Sequence, residues 1–353
     1  MVKGITVRPG LAGASLDDIG EESGNGRVLV KTLYTGVCGT DREIVAGKLS
    51  ITRAERGDRL VLGHEALGSV MDPGSSSFSK GDLVVPMVRR PGGCANCAAG
   101  RQDYCMDGNF TEAGIRGKDG FMRESFYEEE RFLVKAGSGS AGIEKILAEP
   151  MKNVMKIRES IFGVIGRGLW DSVKDKGAWI FGTGTEGLLI GSVLSSAGMR
   201  VMLVNRHGLP GIAQELARHI GAEFFNSASG DWASGENAVP MDMVVDAAGA
   251  PSILLDAVRN IRHTGVIVLF GTGGAGIEEK LNGGTILNMV DKNLTVIGCE
   301  DGAREHYEQA VDFISENGEK YGLGKLITGI FPPEDASVLS AKQVGEIKSV
   351  IKW

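Results

Sequence analysis

Residues 177–206 read GAWIFGTGTEGLLIGSVLSSAGMRVMLVNR. An aromatic and β-branched run at 179–181 feeds directly into Gly182-Thr183-Gly184-Thr185-Glu186-Gly187, and an apolar helical stretch follows. The glycine spacing G-x-G-x-x-G alone is a weak signal. Between a strand and a helix it predicts a dinucleotide-binding turn. Gly182 makes the tight turn, Gly184 lets backbone approach a pyrophosphate, and Gly187 lets the helix pack on the sheet. The N–H groups of Thr183, Thr185 and Glu186 border the same anion site at the helix N-terminus.

The rhythm continues downstream. MDMVVDAAG (241–249), PSILLDAVRNI (251–261) and GVIVLFGTGG (265–274) read strand, helix, strand. Such alternation means a doubly wound parallel sheet with helices on both faces. Upstream the pattern differs. VLVKTLYTGV (28–37), VLGHEALGSVM (61–71) and GDLVVPMV (81–88) are short apolar runs separated by Gly, Asp and Pro turns, and no long helix is expected before about residue 140. The chain is therefore α/β, with a β-rich domain over 1–150, a nucleotide-binding domain over 151–295 and a returning segment over 296–353. That last segment holds a strand near LTVIGCE, a helix near EHYEQAVDFISENG and a final strand EIKSVIKW.

At 353 residues the chain is too long for one ordinary core, which agrees with two domains. Its net charge of -7 is spread along the chain without a basic cluster, which argues against a nucleic-acid partner. No apolar run is long enough to cross a bilayer, and MVKGITVRPG does not read as a signal peptide, so a cytoplasmic protein is expected. Five cysteines in such a chain do not suggest a disulfide framework. Three of them, Cys94-x-x-Cys97-x7-Cys105, lie in one short stretch and point to a metal. Cys299 reads as core.

After the strand at 201–205 comes Asn205-Arg206-His207, where an NAD site would usually carry an acid for the ribose 2′-hydroxyl. An arginine there attracts a 2′-phosphate, so NADP is favoured, with NAD tolerated through Asn205. The remaining chemistry sits in GVCGTDREIVAGK (36–48), read as a buried turn, and in Gly63-His64-Glu65. A thiolate and a neutral imidazole, Cys38 and His64, are a good start to a zinc site.

The order C-G-T-D, G-H-E, G-D-x-V with a cysteine lobe, then the glycine motif resembles the medium-chain zinc-containing alcohol and polyol dehydrogenases. GRQDYC and EAGIRGKDGFMRE are similar to the archaeal glucose dehydrogenases within that group. The resemblance implies a GroES-like catalytic domain and a Rossmann domain, with substrate in a cleft and a homodimer or homotetramer. It implies oxidation of an aldose at C1 to a lactone, with NADP or NAD and zinc. Cys38 and His64 would hold the catalytic zinc, with Glu65 and Glu149 as further ligands. Thr40 would relay the substrate proton, and Asp41 would orient His64. Glu112, Glu149, Asn153 and Asp301 would bond sugar hydroxyls. Phe270, Gly271 and Thr272 would line the nicotinamide pocket, and Lys348 would reach the cofactor. Cys94, Cys97 and Cys105 would hold a structural zinc whose fourth ligand is unassigned. Pro91 stands where the fuller pattern has another cysteine, and Asp103 is the nearest acid. A polyol or secondary-alcohol dehydrogenase, or a nucleotide-binding module without catalysis, are the competing readings.

Overall fold

The computed structural model describes all residues except 21, 22, 56, 140, 141, 167, 210, 229–239, 274 and 275. The chain divides into two compact units: Met1–Lys152 with Asp301–Gly318 and Leu326–Trp353, and Asn153–Glu300 with Glu319–Lys325.

In the second unit six strands form one parallel sheet: Gly177–Phe181, Arg200–Asn205, Glu223–Asn226, Met243–Asp246, Val266–Leu269 and Thr295–Gly298. Numbered along the chain their order is 3-2-1-4-5-6, so the order reverses beside Gly177–Phe181. This is where such sheets bind nucleotides. The strands are continuous β-branched and aromatic runs because both faces are covered. Trp179, Val204, Val244, Val258, Ile261 and Ile267 are all below 2% exposed in one core cluster. Each stabilises the unit by roughly 1.5–3 kcal/mol relative to exposure. Thr295–Gly298 is the sixth strand of this sheet, so the compact unit runs on to Glu300, past the expected boundary at 295.

The first unit is built on the long strand Val28–Val37. Glu65–Asp72, Ser125–Glu128 and the C-terminal strand Lys348–Lys352 all pair antiparallel with it. Its inward residues Val28, Val30 and Val37 are fully buried. The register sets Glu65 and Val350 on either side of Gly36. The stretch after the strand is not a turn. Gly39–Val45 is a short helix with Cys38 as its N-cap, because Asp41 Oδ2 accepts the Cys38 N–H at 2.8 Å and replaces the missing intrahelical partner. No helix of the described residues is long and apolar enough to cross a membrane.

Candidate active site

The strand ends of the first unit bring Cys38, His64 and Glu65 together, with one donor atom of each within 4.8 Å of the others. Glu65 opens its strand directly opposite Gly36. A Cβ at Gly36 would stand 1.9 Å from Glu65 Oε2, so only glycine leaves room for that carboxylate. Oε2 is buried with no hydrogen-bond partner, whereas Oε1 accepts from Lys348 Nζ at 2.5 Å. Asp41 uses its second oxygen on the imidazole: Oδ1 lies 3.4 Å from His64 Nδ1. A carboxylate on the Nδ1 side of the ring favours Nε2 as the coordinating nitrogen. Thr40 Oγ1 is 3.8 Å from Cys38 Sγ. One thiol, one imidazole oriented by a carboxylate and one carboxylate with a spare oxygen fit a catalytic zinc with an open position.

The electrostatics agree with a cation site. Burial pulls the His64 imidazole pKa down, but the Asp41 carboxylate outweighs it and holds the ring well above its ordinary 6.5. Burial pushes the Glu65 carboxyl up; Lys348 opposes this and Glu149 adds to it. A divalent ion would remove the mismatch by displacing the imidazole proton.

Beside this cluster runs a chain of buried charges. Arg89 donates to Glu112 Oε1 at 2.8 and 3.1 Å and pairs with Asp301 Oδ2 at 3.0 Å. Asp301 Oδ1 meets Lys152 Nζ at 2.5 Å, and the same ammonium lies 3.2 Å from Glu149 Oε1. Burial raises the Asp301 carboxyl, but Lys152 and Arg89 outweigh it and hold the group below its usual value.

In the cysteine lobe the three thiols also lie within 4.8 Å of one another. Cys94 and Cys97 sulfurs are 3.6 Å apart, and the N–H groups of Met106 and Gly92 donate to them. Hydrogen bonds from the Cys97 and Met106 backbone pull the Cys94 thiol down to about 7, whereas burial pushes Cys97 up. Asp103 is gripped at both oxygens by Arg101.

In the second unit Gly182 has φ +103, and a Cβ on Gly187 would meet the Gly182 carbonyl at 1.9 Å. Gly184 has open space where its Cβ would be, and it caps the helix Thr185–Ser196. Asn205 Nδ2 donates to Thr183 Oγ1 at 2.7 Å, tying the next strand end to the glycine turn. Gly182, Asn205, Arg206 and Ser227 line a cavity of about 340 Å³. The exposed side chains of Arg206 and His207 sit at its strand end. Phe270 and Gly271 are held by their N–H groups on the Asp246 carbonyl.

Comparison with known proteins agrees with this layout. Residues 24–138 match the alcohol dehydrogenase GroES-like domain, and residues 144–353 match the family described as glucose dehydrogenase C-terminus. Glucose 1-dehydrogenase of Metallosphaera sedula is 39% identical, over 100% of this chain and 99% of that protein. The chain belongs to the zinc-dependent glucose dehydrogenase family. Glucose 1-dehydrogenase of Thermoplasma acidophilum is 37% identical, over 91% of this chain and 90% of that protein. Haloferax mediterranei glucose dehydrogenase, solved with NADP, Zn and gluconolactone, superposes with a TM-score of 0.85 at 27% identity, covering 99% of each chain.

Within this glucose dehydrogenase framework the remaining expected site residues stand as follows. Lys348, expected near the cofactor, is buried with its ammonium on Glu65 Oε1, since a buried charge needs a partner. Glu149 stands outside the three-donor cluster, against Lys152. Asp103 is paired with Arg101, and the lobe cluster among the described residues has three donors. Glu112 and Asp301 are joined through Arg89. Asn153 lies in the second unit, with its amide 3.4 Å from Glu186. Thr272 is exposed. Arg89 and Lys152 were not anticipated. Their signal was present: a second-to-last basic pair in VVPMVRR, and a lysine three residues after Glu149 in an otherwise apolar helix start.

Proposed function

We propose that this chain is a glucose 1-dehydrogenase that oxidises D-glucose, and other aldoses with it, at C1 to the aldonolactone. The observation that carries the reading is the donor triangle Cys38–His64–Glu65, with its spare carboxylate oxygen, in a unit that also holds the buried charged series Glu112, Arg89, Asp301, Lys152 and Glu149. Zinc bound by these three residues supplies a Lewis acid that lowers the pKa of the C1 hydroxyl. NADP, with NAD tolerated, supplies the hydride acceptor.

The chain's own residues do the rest. Asp41 keeps the His64 ring in the tautomer that presents Nε2. Thr40 accepts the C1 hydroxyl proton and passes it outward. Glu112, Glu149 and Asp301 accept hydrogen bonds from sugar hydroxyls, and Asn153 adds a further polar contact. The buried carboxylates disfavour analogues without those hydroxyls, because the polar groups would be left unpaired. Gly182 to Gly187 receive the pyrophosphate, Arg206 with Asn205 and His207 the 2′-phosphate ribose, and Phe270 to Thr272 the nicotinamide side. The first unit is then the catalytic domain and the second the nucleotide domain. Cys94, Cys97 and Cys105 hold a second, structural zinc.

The protein acts as a homo-oligomer in the cytoplasm. Thr295–Gly298 is a sheet edge, and the nearby helix Gly283–Asp291 leaves Ile286, Leu287 and Val290 more than half exposed. A second copy would cover that apolar face.

The test is initial rates with D-glucose, D-galactose, D-xylose, sorbitol and ethanol, each with NADP and NAD, before and after chelator dialysis. Aldose turnover with NADP, abolished by dialysis and restored by zinc, is the expected result. Turnover of sorbitol or ethanol alone would sink the sugar assignment.

A further inference from the structure

We propose that Lys152 is a substrate-binding residue that sets sugar specificity by donating a hydrogen bond to one sugar hydroxyl. The proposal rests on the aldose-oxidising reading of the zinc site. Lys152 is 3% exposed on the helix Ala148–Ile165, between the buried Met151 and Val154. A lysine in that position is costly, and a buried ion pair adds little stability over well-packed apolar side chains. The cost of burying it is offset where the ammonium has a chemical use.

An ammonium has three N–H donors and no acceptor. Among the described residues two are taken, by Asp301 Oδ1 at 2.5 Å and Glu149 Oε1 at 3.2 Å. The Tyr307 ring centroid is 5.7 Å away, and the Tyr307 hydroxyl already accepts the Val88 N–H. One donor is left over. The ammonium stands between Glu149 and Asp301, two of the groups that the aldose-oxidising reading gives to sugar hydroxyls.

A sugar hydroxyl both donates and accepts. The expected carboxylate contacts can only accept. Lys152 supplies the complementary donor within reach of the same hydroxyl: an oxygen about 2.8 Å from both Lys152 Nζ and Glu149 Oε1 is an ordinary hydrogen-bonding distance from each. Such a pair recognises a hydroxyl and rejects hydrogen in its place.

The experiment compares wild type, Lys152→Met and Lys152→Arg on D-glucose and its 2-, 3-, 4- and 6-deoxy analogues at saturating NADP. Zinc content and thermal transition are checked for each. With wild type, one deoxy sugar is expected to lose about tenfold or more in kcat/KM, the scale of a hydrogen bond to a charged group. Lys152→Met should lose about the same factor on glucose, mainly through KM, with the NADP KM unchanged. It should lose little further on that one deoxy sugar, a non-additive cycle. Lys152→Arg should recover part of the loss with a changed ranking of the deoxy sugars. If every deoxy sugar loses the same factor in all three proteins, Lys152 is structural and the proposal fails. If Lys152→Met does not fold, an unchanged ranking in Lys152→Arg overturns it equally. If wild type oxidises glucose but Lys152→Met keeps its KM, only this inference falls. If wild type oxidises no aldose, the underlying reading falls with it.

Discussion

Lys348 Nζ sits 2.5 Å from Glu65 Oε1, and the two residues are 3% and 1% exposed. The pair joins the C-terminal strand to the metal cluster. Removing one partner of a buried pair leaves an uncompensated charge and costs about 3–5 kcal/mol. Lys348→Met in the zinc-free chain should lose stability on that scale in urea unfolding. Adding Glu65→Gln to it should recover most of the loss. A change below about 1 kcal/mol for the single variant would show that the pair is not holding the strand.

Much of this arrangement was legible beforehand. The glycine turn could be read because its spacing encodes local geometry, a tight turn at positive φ between a strand and a helix, and Cys38 and His64 because their side chains are metal-ligating types in an ordered pattern. The pairing of Lys348 with Glu65 could not. It depends on the register of Lys348–Lys352 against Val28–Val37, across more than three hundred residues of chain. The same holds for Arg89 and Lys152, whose shared partner Asp301 comes from a distant segment. Long-range pairing of this kind leaves no periodicity in the sequence. The short helix after Cys38 was hidden because seven residues are too few for a clear helical pattern.

Asp41 holds the Cys38 N–H with one oxygen and His64 Nδ1 with the other. Asp41→Asn keeps the size and can keep the cap. Its amide would then donate to Nδ1 and favour the tautomer whose proton is on Nε2. Zinc affinity should fall about 10–100-fold, the usual effect of losing an outer carboxylate. Competition with a chromogenic chelator measures it. Unchanged affinity would mean the ring is oriented by something other than Asp41.

The raised His64 pKa gives zinc binding a definite pH dependence. In the zinc-free chain the ring stays protonated well above 6.5. Its contribution to folding is therefore complete below the unfolded value and is lost as pH rises through the folded one. Zinc must displace that proton as well as those of the thiol ligands, so zinc affinity should rise with pH over the same window and each ion bound should release at least one proton. Calorimetry in buffers of different ionisation enthalpy reads this directly. Zinc uptake without proton release near pH 7 would contradict it.

Arg206 follows the strand Arg200–Asn205 and lines the cavity beside Gly182. Arg206→Ala should raise the KM for NADP about tenfold and leave that for NAD nearly unchanged, since a charge-assisted contact is lost only with the 2′-phosphate. Equal losses with both cofactors would place Arg206 elsewhere in the binding site.

The cysteine lobe makes the last prediction. Three thiols lie within 4.8 Å, with N–H donors from Gly92 and Met106 on two of the sulfurs. Backbone N–H groups stabilise a thiolate, and Cys94 is pulled to about 7. At pH 7 the metal-free lobe should therefore react with iodoacetamide at Cys94 well before Cys97, whose thiol burial pushes up. Zinc should protect all three. The full protein should carry two zinc ions per chain, and Cys94→Ser should lose one while Cys38 and His64 retain theirs. Peptide mapping of the alkylated protein, with elemental analysis of both proteins, decides the matter. A single zinc in the unaltered chain, with Cys94 reactive in its presence, would mean that three thiols without a fourth protein ligand do not retain the ion.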